Sequence, residues 1–441
     1  MALAEAPSTV AALIDARPWG WRQKLLLALV SLAILLDGFD NQSLGFALPS
    51  LMKDWGLPKA ALGVALAAAQ FGMLIGAVSG GVVGDRFGRK VALVASTTLF
   101  GVGTLVICFV HTPMQLAGLR FAAGLGLGAA FPNVAALAAE FTPVRHRSLA
   151  VILSIVCVPL GGVVGGMAAS AILPTMGWQA LFLLAGACTL GLALLLVLAL
   201  PESVNFLLSK GADATRVMRS LRCMGLGDPV LPATSAPQPH EPSAPLSSIW
   251  APAWRADTLL LWAAFFFSLV SVYAAFNWLP TLLAESGLSV AEAAQGLAAF
   301  NMGGVATALL GGALMARFGS RRVMGAMALV AVGAAVALAL LAHTNLPLVA
   351  TFALIALEGG CVNGAQTSLY ALASNIYPAA TRARGVGLAT GIGRLGAISS
   401  ALLGAMVVGT LGLAGFHWAI AGVMVVVAAA VGLIARHVPP R

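Results

Sequence analysis

The segment LLLALVSLAILLDGFDNQSLGFALPSL, residues 25–51, is apolar over a length that can cross a lipid bilayer. It nevertheless contains two aspartates, Asp37 and Asp40, whose three-residue spacing places both on one face of a helix. An ionised aspartate at the centre of a membrane helix costs about 2.5 to 3.5 kcal/mol on insertion scales, so such acids face the protein interior and serve a function. The segment therefore predicts a membrane-spanning helix whose acids take part in the activity.

The rest of the chain repeats this apolar pattern. Of its 441 residues, 60% are hydrophobic and 9% are charged, against about 25% charged in soluble domains. We predict an all-α polytopic membrane protein with twelve spans, at 25–51, 60–83, 91–110, 114–139, 148–173, 178–200, 256–284, 293–315, 322–342, 347–373, 385–410 and 415–435. They form two pseudo-symmetric six-helix bundles, 25–200 and 256–435, accompanied by an arm (1–24), a central loop (201–255) and a tail (436–441).

Lysine and arginine are distributed unevenly between the two sides of the predicted membrane. Of the 24 such residues, twenty lie on the side of both termini, two (Lys53 and Lys59) lie on the other side, and two (Arg120 and Arg394) lie inside spans. By the positive-inside rule, both termini are expected in the cytoplasm and the protein in the bacterial inner membrane. The net charge of +9 therefore reflects topology and does not indicate a nucleic-acid partner.

Neither a disulfide framework nor a cofactor site is expected. Four of the five cysteines lie inside spans, and the six histidines lack the spacing of metal ligands, so we interpret them as loop or interface residues. Glycines 124, 126 and 128 resemble a dinucleotide-binding loop, but no strand precedes them, and small residues at such spacing permit close helix packing instead. No nucleophile–base set or Walker loop is present in the sequence, which argues against an enzyme.

An internal repeat divides the chain. GGVVGDRFGRKV at 80–91 recurs as GGALMARFGSRRV at 311–323, a shift of 231 residues. Repeated halves of this kind enclose a substrate site near the membrane midplane. Between the halves, 203–222 carries arginines at helical spacing and reads either as an amphipathic helix or as a solvated charge run. The following proline-rich segment, 229–245, is expected to be flexible.

The loop Gly84–Lys90 resembles the signature loop of the major facilitator superfamily. Within that superfamily, Asp37-Gly38-Phe39-Asp40 resembles the motif of the aromatic acid:proton symporters. Supporting segments are Arg120 with GLGLGAAFPN and Glu140, Pro201-Glu202-Ser203, Asn277-Trp278-Leu279-Pro280, and Tyr377-Pro378 with Arg382 and Arg394. The resemblance covers nearly every span. It implies proton-coupled import of aromatic carboxylates, such as hydroxybenzoates or hydroxyphenylpropionates, by a monomeric chain.

Proton coupling needs an acid inside the membrane. We assign it to Asp37 and Asp40 as one coupled pair, the alternative being two interface acids locked by Arg120 or Asn41. Glu358 lies deep in span 10 and is interpreted as a second proton site or as a partner of Arg394.

A carboxylate cargo needs a cation, and its ring needs apolar and polar contacts. A guanidinium binds a carboxylate through two parallel hydrogen bonds. Arg394 is our first choice because it lies in the half opposite the acids, whereas Arg120 is expected to pair with them. For each arginine, a purely structural ion pair is the alternative. Expected contacts to the ring are Phe39, Tyr273, Phe276 and Trp278, with Asn277, Asn301 and Gln366 bonding ring hydroxyls.

Charged residues at the span ends are interpreted as gating residues. They are Asp85, Arg86, Arg89, Glu140, Arg145 and Arg382. Asp85 is expected to join a charge cluster that latches one conformation, and Glu140 is expected to pair with Arg145 or Arg147. In the second repeat Ala316 replaces the aspartate, so a weaker latch is predicted there. Two other functions remain open, a proton-driven exporter of amphipathic compounds and a chemoreceptor that binds the acid without carrying it.

Overall fold

The computed structural model describes residues 14–15, 18–227, 250–344, 346–377 and 379–440. In the first half the helices are α1 (Trp21–Trp55), α2 (Lys59–Phe87), α3 (Arg89–Val106) and α4 (Pro113–Glu140), followed by Arg147–Ala199, which comprises α5 (147–176) and α6 (178–199). Two short helices follow, α7 (Val204–Ser209) and α8 (Ala214–Cys223). The second half contains α9 (Pro252–Glu285), α10 (Val290–Phe318), α11 (Ser320–Leu341), α12 (Leu348–Ile376) and Ala379–Leu433, which comprises α13 (379–411) and α14 (413–433).

The segments Arg147–Ala199 and Ala379–Leu433 each double back on themselves. At 53 and 55 residues, each would be about 80 Å long if straight, far more than a bilayer needs. Gly177 and Gly412 break the helical backbone with φ of 76° and 61°. Both ends of the first segment reach the end of α4, where Arg147 Nε donates to the Ala139 carbonyl and Ser203 Oγ donates to the Glu140 carboxylate.

The two ends of the second segment also lie close together, at the start of α9. Tyr377, just before α13, donates to Thr258, while the backbone NH of Ala435, just after α14, donates to the Asp257 carboxylate over 2.8 Å. Ten continuous helices in the described residues are long and apolar enough to cross a membrane, and these two kinked ones each supply two crossings. The predicted all-α fold with twelve spans is therefore confirmed.

Glycines bring neighbouring helices into backbone contact. A Cβ atom at Gly38 of α1 would overlap the carbonyl of Val158 in α5, and one at Gly161 would overlap the carbonyl of Leu35. Gly124 and Gly128 of α4 face the α2 backbone in the same way. These two glycines are therefore helix-packing residues, as expected, and not part of a nucleotide loop.

The two halves repeat one arrangement at the starts of α3 and α11. Gly88 and Gly319 precede these helices with φ of 112° and 79°. Lys90 then donates to the Val197 carbonyl at the end of α6, and Arg321, 231 residues later, donates to the Gly432 carbonyl at the end of α14. The repeat found in the sequence is thus a structural repeat.

The bundle has two ends, which we call the terminal face and the opposite face. The terminal face carries Arg22, Glu140, Glu202 and Arg436, and the opposite face carries Trp55, Lys59 and Glu285. At the terminal face, the predicted single helix over 203–222 is wrong, because Gly211 turns the chain with φ of 63° and separates α7 from α8. α8 is nonetheless amphipathic, with Val217 and Leu221 buried. The proline-rich prediction at 229–245 lies outside the described residues.

Candidate functional site

The acids of α1 lie at the centre of the bundle. Asp40 is 0% exposed, and its carboxylate receives a hydrogen bond from Thr104 Oγ1 over 2.5 Å. Arg120, 1% exposed, places Nη1 3.3 Å from Asp40 Oδ2 and 3.3 Å from the Asp40 carbonyl. The expected pairing of Arg120 with the acids of span 1 therefore holds in the geometry. Arg120 and Asp40 thus form a buried ion pair within the first half.

Asp37 has different surroundings. Its side chain is 5% exposed and interacts electrostatically with Arg394 of the second half and with Asp40. The two acids were expected to act as one unit, but Asp40 is compensated within its own half whereas Asp37 faces a cation across the interface. The structure thus gives the two acids different surroundings although both lie on one face of α1, since Asp40 meets Arg120 of α4 and Asp37 has Arg394 of α13 as its electrostatic partner.

A chain of hydrogen bonds crosses the interface beside Asp37. Arg394 Nη1 donates to the Tyr273 hydroxyl over 2.7 Å, and Asn41 Nδ2 donates to the same hydroxyl over 3.3 Å. Gln70 Nε2 donates in turn to Asn41 Oδ1 over 3.3 Å. Arg394 also approaches the Met73 sulfur at 3.8 Å, and its guanidinium lies 5.9 Å from the centre of the Tyr273 ring. Arg394 is only partly buried, in contrast to Arg120.

A second tyrosine flanks the same arginine. Tyr370 of α12 lies near Arg394, and its ring packs edge-on against Phe265 with centroids 5.3 Å apart. Gln366, one turn earlier on α12, lies beside Tyr370 and is 7% exposed. Two of the three tyrosines in the chain therefore border Arg394.

The predicted aromatic contacts fall into two groups. Phe276 lies next to Tyr273, with ring centroids 5.6 Å apart, and also borders Phe300. Phe39 instead packs against Gly165 of α5. Trp278 is 0% exposed and donates to the Ser400 carbonyl over 3.2 Å, which ties α9 to α13. Tyr273 and Phe276 thus share the surroundings of Arg394, while Phe39 and Trp278 lie in helix contacts.

The predicted amide contacts also differ from one another. Asn301 is fully buried and is bonded to Gln42 of the first half, in both directions, over 2.7 and 3.3 Å. Asn277 Nδ2 is buried without a hydrogen-bond partner among the described residues. Asn277 is thus better placed than Asn301 to bond a further polar group.

Glu358 lies in a separate buried pair within the second half. Its Oε1 is 3.1 Å from Nδ1 of His417 in α14, and both side chains are 1% exposed. The expectation that Glu358 pairs with Arg394 is therefore wrong. Interpreting every histidine as a loop or interface residue is wrong for His417, because residue spacing could not show that a charge inside α12 has a partner inside α14.

Three carboxylates bind the helix ends at the terminal face. Asp85 at the end of α2 and Arg89 at the start of α3 form an ion pair across the break at Gly88. Glu140 accepts a hydrogen bond from Ser203 Oγ over 2.6 Å, so the expected pairing with Arg145 or Arg147 is wrong. Arg147 donates to backbone carbonyls instead, since the turn after α4 directs it back toward Ala139. Glu202 accepts from the backbone NH groups of Lys90 and Ser203, both over 2.9 Å.

The other predicted gating residues are exposed. Arg145 and Arg382 lie on the surface, and Arg86 stacks on its neighbour Phe87 at 5.3 Å. Arg317 repeats this contact with Phe318 in the second half.

Comparison with known proteins agrees with this geometry. The family described as Major Facilitator Superfamily matches residues 30–398 and 261–441.

The chain belongs to the major facilitator superfamily. This transporter is 39% identical to the 4-hydroxybenzoate transporter PcaK of Pseudomonas aeruginosa, over 91% of this chain and 89% of that protein. It is 37% identical to a gallate transporter of Pseudomonas putida, over 93% and 90% of the two chains. A crystal structure of a D-xylose–proton symporter has the same fold, with a TM-score of 0.73, 18% identity and coverage of 94% and 97%. The predicted family is confirmed, and the protein is a transporter and not an enzyme.

Sequence reasoning missed several residues of the transporter's centre. Thr104, Gln70, Tyr370 and His417 are all bonded to, or lie beside, residues named from the sequence. The chain has only three tyrosines, and a rare aromatic hydroxyl inside a predicted span could have pointed to Tyr370. The others are polar residues whose partners come from distant helices, and such pairings leave no local pattern.

Proposed function

We propose that this protein imports hydroxylated aromatic carboxylates, with hydroxybenzoates as the main class, together with protons. The observation that carries the proposal is the position of Arg394 at the interface of the two halves. It contacts Met73 of the first half and donates to the Tyr273 hydroxyl, which Asn41 of the first half also bonds, and Asp37 is its electrostatic partner across that interface. A partly accessible guanidinium inside a membrane bundle suits an organic anion, because it offers two parallel hydrogen bonds to a carboxylate. The two hydroxylated benzoates named for the relatives support the ring class.

Charge balance links the anion to the proton. Asp37 and Arg394 are electrostatic partners across the two halves. A carboxylate bound to Arg394 takes up that positive charge and leaves Asp37 beside two negative groups, its neighbour Asp40 among its electrostatic partners. A proton on Asp37 restores neutrality in a medium where an unpaired charge is costly. Asp40 stays paired with Arg120 and keeps its charge compensated throughout.

Uptake with a proton also suits the membrane potential. One negative charge entering an interior-negative cell costs about 2.3 kcal/mol per 100 mV, and a proton moving with it cancels that cost. In our proposal both termini lie in the cytoplasm, so the terminal face is the inner face. The halves 25–200 and 256–435 then move as the two bodies of alternating access in a single chain. Asp85, Arg89 and Glu140 hold helix ends at that inner face.

The ring of the cargo is proposed to lie against Tyr273, Phe276 and Tyr370. Tyr273 is bonded to Arg394, Phe276 packs on the Tyr273 ring, and Tyr370 lies near the same arginine. Asn277 and Gln366 supply polar groups for ring hydroxyls, since both are buried on helices that border the arginine. Glu358 and His417 lie in the second half, in a pair of their own, and we assign no step to them.

The test is uptake of labelled 4-hydroxybenzoate into proteoliposomes under an imposed pH gradient. We expect accumulation that collapses with a protonophore and that is lost in Arg394→Ala and in Asp37→Asn. Arg216→Ala, which removes an exposed arginine of α8, is the matched control and should leave uptake unchanged. Accumulation without a proton gradient, or wild-type uptake in either site variant, would contradict the proposal.

A further inference from the structure

The contacts that join the two halves follow one path from the opposite face to the middle of the bundle. At the rim, Lys59 Nζ at the start of α2 lies 2.7 Å from the Glu285 carboxylate at the end of α9. The same ammonium donates to the Val408 carbonyl of α13 over 3.2 Å. One lysine of the first half therefore holds two helices of the second half.

Below this rim the helices touch through their backbones. A Cβ atom at Gly45 of α1 would overlap the Phe276 carbonyl of α9. One at Gly63 of α2 would lie 3.1 Å from the Ala401 carbonyl of α13. These small residues leave no room for a solute between the halves at this level.

The path ends at an amide pair. Asn301 Nδ2 donates to Gln42 Oε1 over 2.7 Å, and Gln42 Nε2 donates to Asn301 Oδ1 over 3.3 Å. Both side chains are 0% exposed. A Cβ atom at Gly162 of α5 would collide with both amides, so only glycine leaves space for them. Gln42 lies about 20 Å along α1 from its end at Trp55, deep inside the bundle.

We propose that the Gln42–Asn301 amide pair and the Lys59–Glu285 ion pair are the inner and outer layers of a gate that closes the transport site toward the opposite face. This assignment rests on the proposed transport function. It assigns Asn301 to the gate instead of to ligand binding, because the Asn301 amide already donates to Gln42 and to the Leu297 carbonyl.

The chemistry of each layer fits its depth. The inner pair is neutral, so it can separate inside the membrane without leaving bare charges, whereas parting a buried ion pair is strongly unfavourable. The outer pair is charged, with side chains 16% and 44% exposed, so water can solvate both ions when it opens. The inner layer also adjoins the site in sequence, because Asp40, Asn41 and Gln42 are consecutive. Asn41 contacts Tyr273, the partner of Arg394.

The gate is tested by measuring the distance between the halves at the opposite face. Spin labels are placed on Lys53→Cys, near the end of α1, and Ser286→Cys, after α9, in a chain whose five native cysteines are replaced by serine. Pulsed EPR in nanodiscs should show mainly the short distance in the otherwise unaltered protein. Asn301→Leu removes both hydrogen bonds to Gln42, and Lys59→Gln removes the ion pair to Glu285. Each should raise the long-distance fraction at least about fivefold, the worth of a single hydrogen bond.

Three comparisons make the result decisive. The swap Lys59→Glu with Glu285→Lys should restore the short distance. Asp54→Ala, which removes the acceptor of a 3.0 Å hydrogen bond from Trp178 on the same face but within one half, should change nothing. If Asn301→Leu fails to fold, Gln42→Met removes the same pair while keeping the side-chain volume.

Binding separates the gate from the ligand site. Titration of Asn301→Leu with 4-hydroxybenzoate should give an affinity within about threefold of the wild type, since the amide is not assigned to the ligand. Unchanged distances in both gate variants, or loss of binding in Asn301→Leu without a change in distance, would overturn the gate. If the wild-type protein neither binds nor carries the acid, the proposed function fails, while the distances still test the closure.

Discussion

Arg394 donates to the Tyr273 hydroxyl over 2.7 Å, a neutral partner, although the carboxylate of Asp37 is an electrostatic neighbour. Arg120, by contrast, lies 3.3 Å from the Asp40 carboxylate and is 1% exposed. The two intramembrane arginines therefore differ in what they can still bind. Arg394 is partly exposed and is bonded to a hydroxyl that a carboxylate can displace, whereas Arg120 is fully buried in an ion pair. This difference underlies the assignment of the anion to Arg394.

Tyr273→Phe tests the positioning of Arg394. Without the hydroxyl, the guanidinium loses its hydrogen bond and its link to Asn41. We expect the KM for 4-hydroxybenzoate uptake to rise about three- to tenfold, the worth of one hydrogen bond. Tyr377→Phe is the matched control, because its hydroxyl contacts Thr258 at the terminal face. Equal effects of the two variants on KM would contradict the role of Tyr273.

Arg120→Gln should destabilise the fold. It leaves the Asp40 carboxylate buried without its cation, and breaking a buried ion pair on one side costs about 3 to 5 kcal/mol. The apparent melting temperature in detergent should fall sharply. Asp40→Asn combined with Arg120→Gln removes both charges and should recover most of that loss. A double variant no more stable than Arg120→Gln would show that the pair is not the source of the stability.

Gly38→Ala should reduce the yield of folded protein. A methyl group there overlaps the Val158 carbonyl, so α1 and α5 must move apart and displace the acids. Gly81→Ala is the control within a neighbouring helix, since a Cβ atom there has no heavy atom within 4 Å. Size-exclusion profiles of both variants provide the measurement. Similar profiles for Gly38→Ala and wild type would contradict the close approach.

His437 should make stability depend on pH at the terminal face. It lies 3.0 Å from Ser320 Oγ and 3.0 Å from the Val431 carbonyl, and burial lowers the pKa of its imidazole below 6.5. The unfolded chain therefore binds this proton more readily than the folded protein, so the stabilisation is present above about pH 6.5 and is lost below it. Between about pH 7.5 and 5.5 the melting temperature of the wild type should fall more than that of His437→Gln. Parallel falls would contradict this role.

Most of the fold could be predicted because lipid imposes simple rules. A span needs about 20 apolar residues, and the breaks at Gly177 and Gly412 lie in the short gaps between predicted spans. Gly211 was harder to interpret, since the arginine spacing at 216, 219 and 222 lies entirely after it and gives no sign of a break there. A single glycine at positive φ ended one helix there and allowed Asp213 to precede the next.

The sequence could identify single residues of the candidate site, but not which residues contact each other. The cost of charge in a membrane singled out Asp37, Asp40, Arg120, Glu358 and Arg394, and each of them is partly or fully buried. Their partners depend on how distant helices pack. Glu358 meets His417 and not Arg394 because α12 and α14 adjoin within one half, and no spacing along the chain encodes that contact.

The central claim is that anion binding at Arg394 and proton binding at Asp37 are one linked event. The most direct measurement is calorimetric titration of the purified protein with 4-hydroxybenzoate in two buffers of different ionisation enthalpy, which counts the protons exchanged on binding. We predict uptake of close to one proton per bound anion in the wild type and of almost none in Asp37→Asn. Binding without proton exchange in the wild type, or the same exchange in Asp37→Asn, would contradict the account.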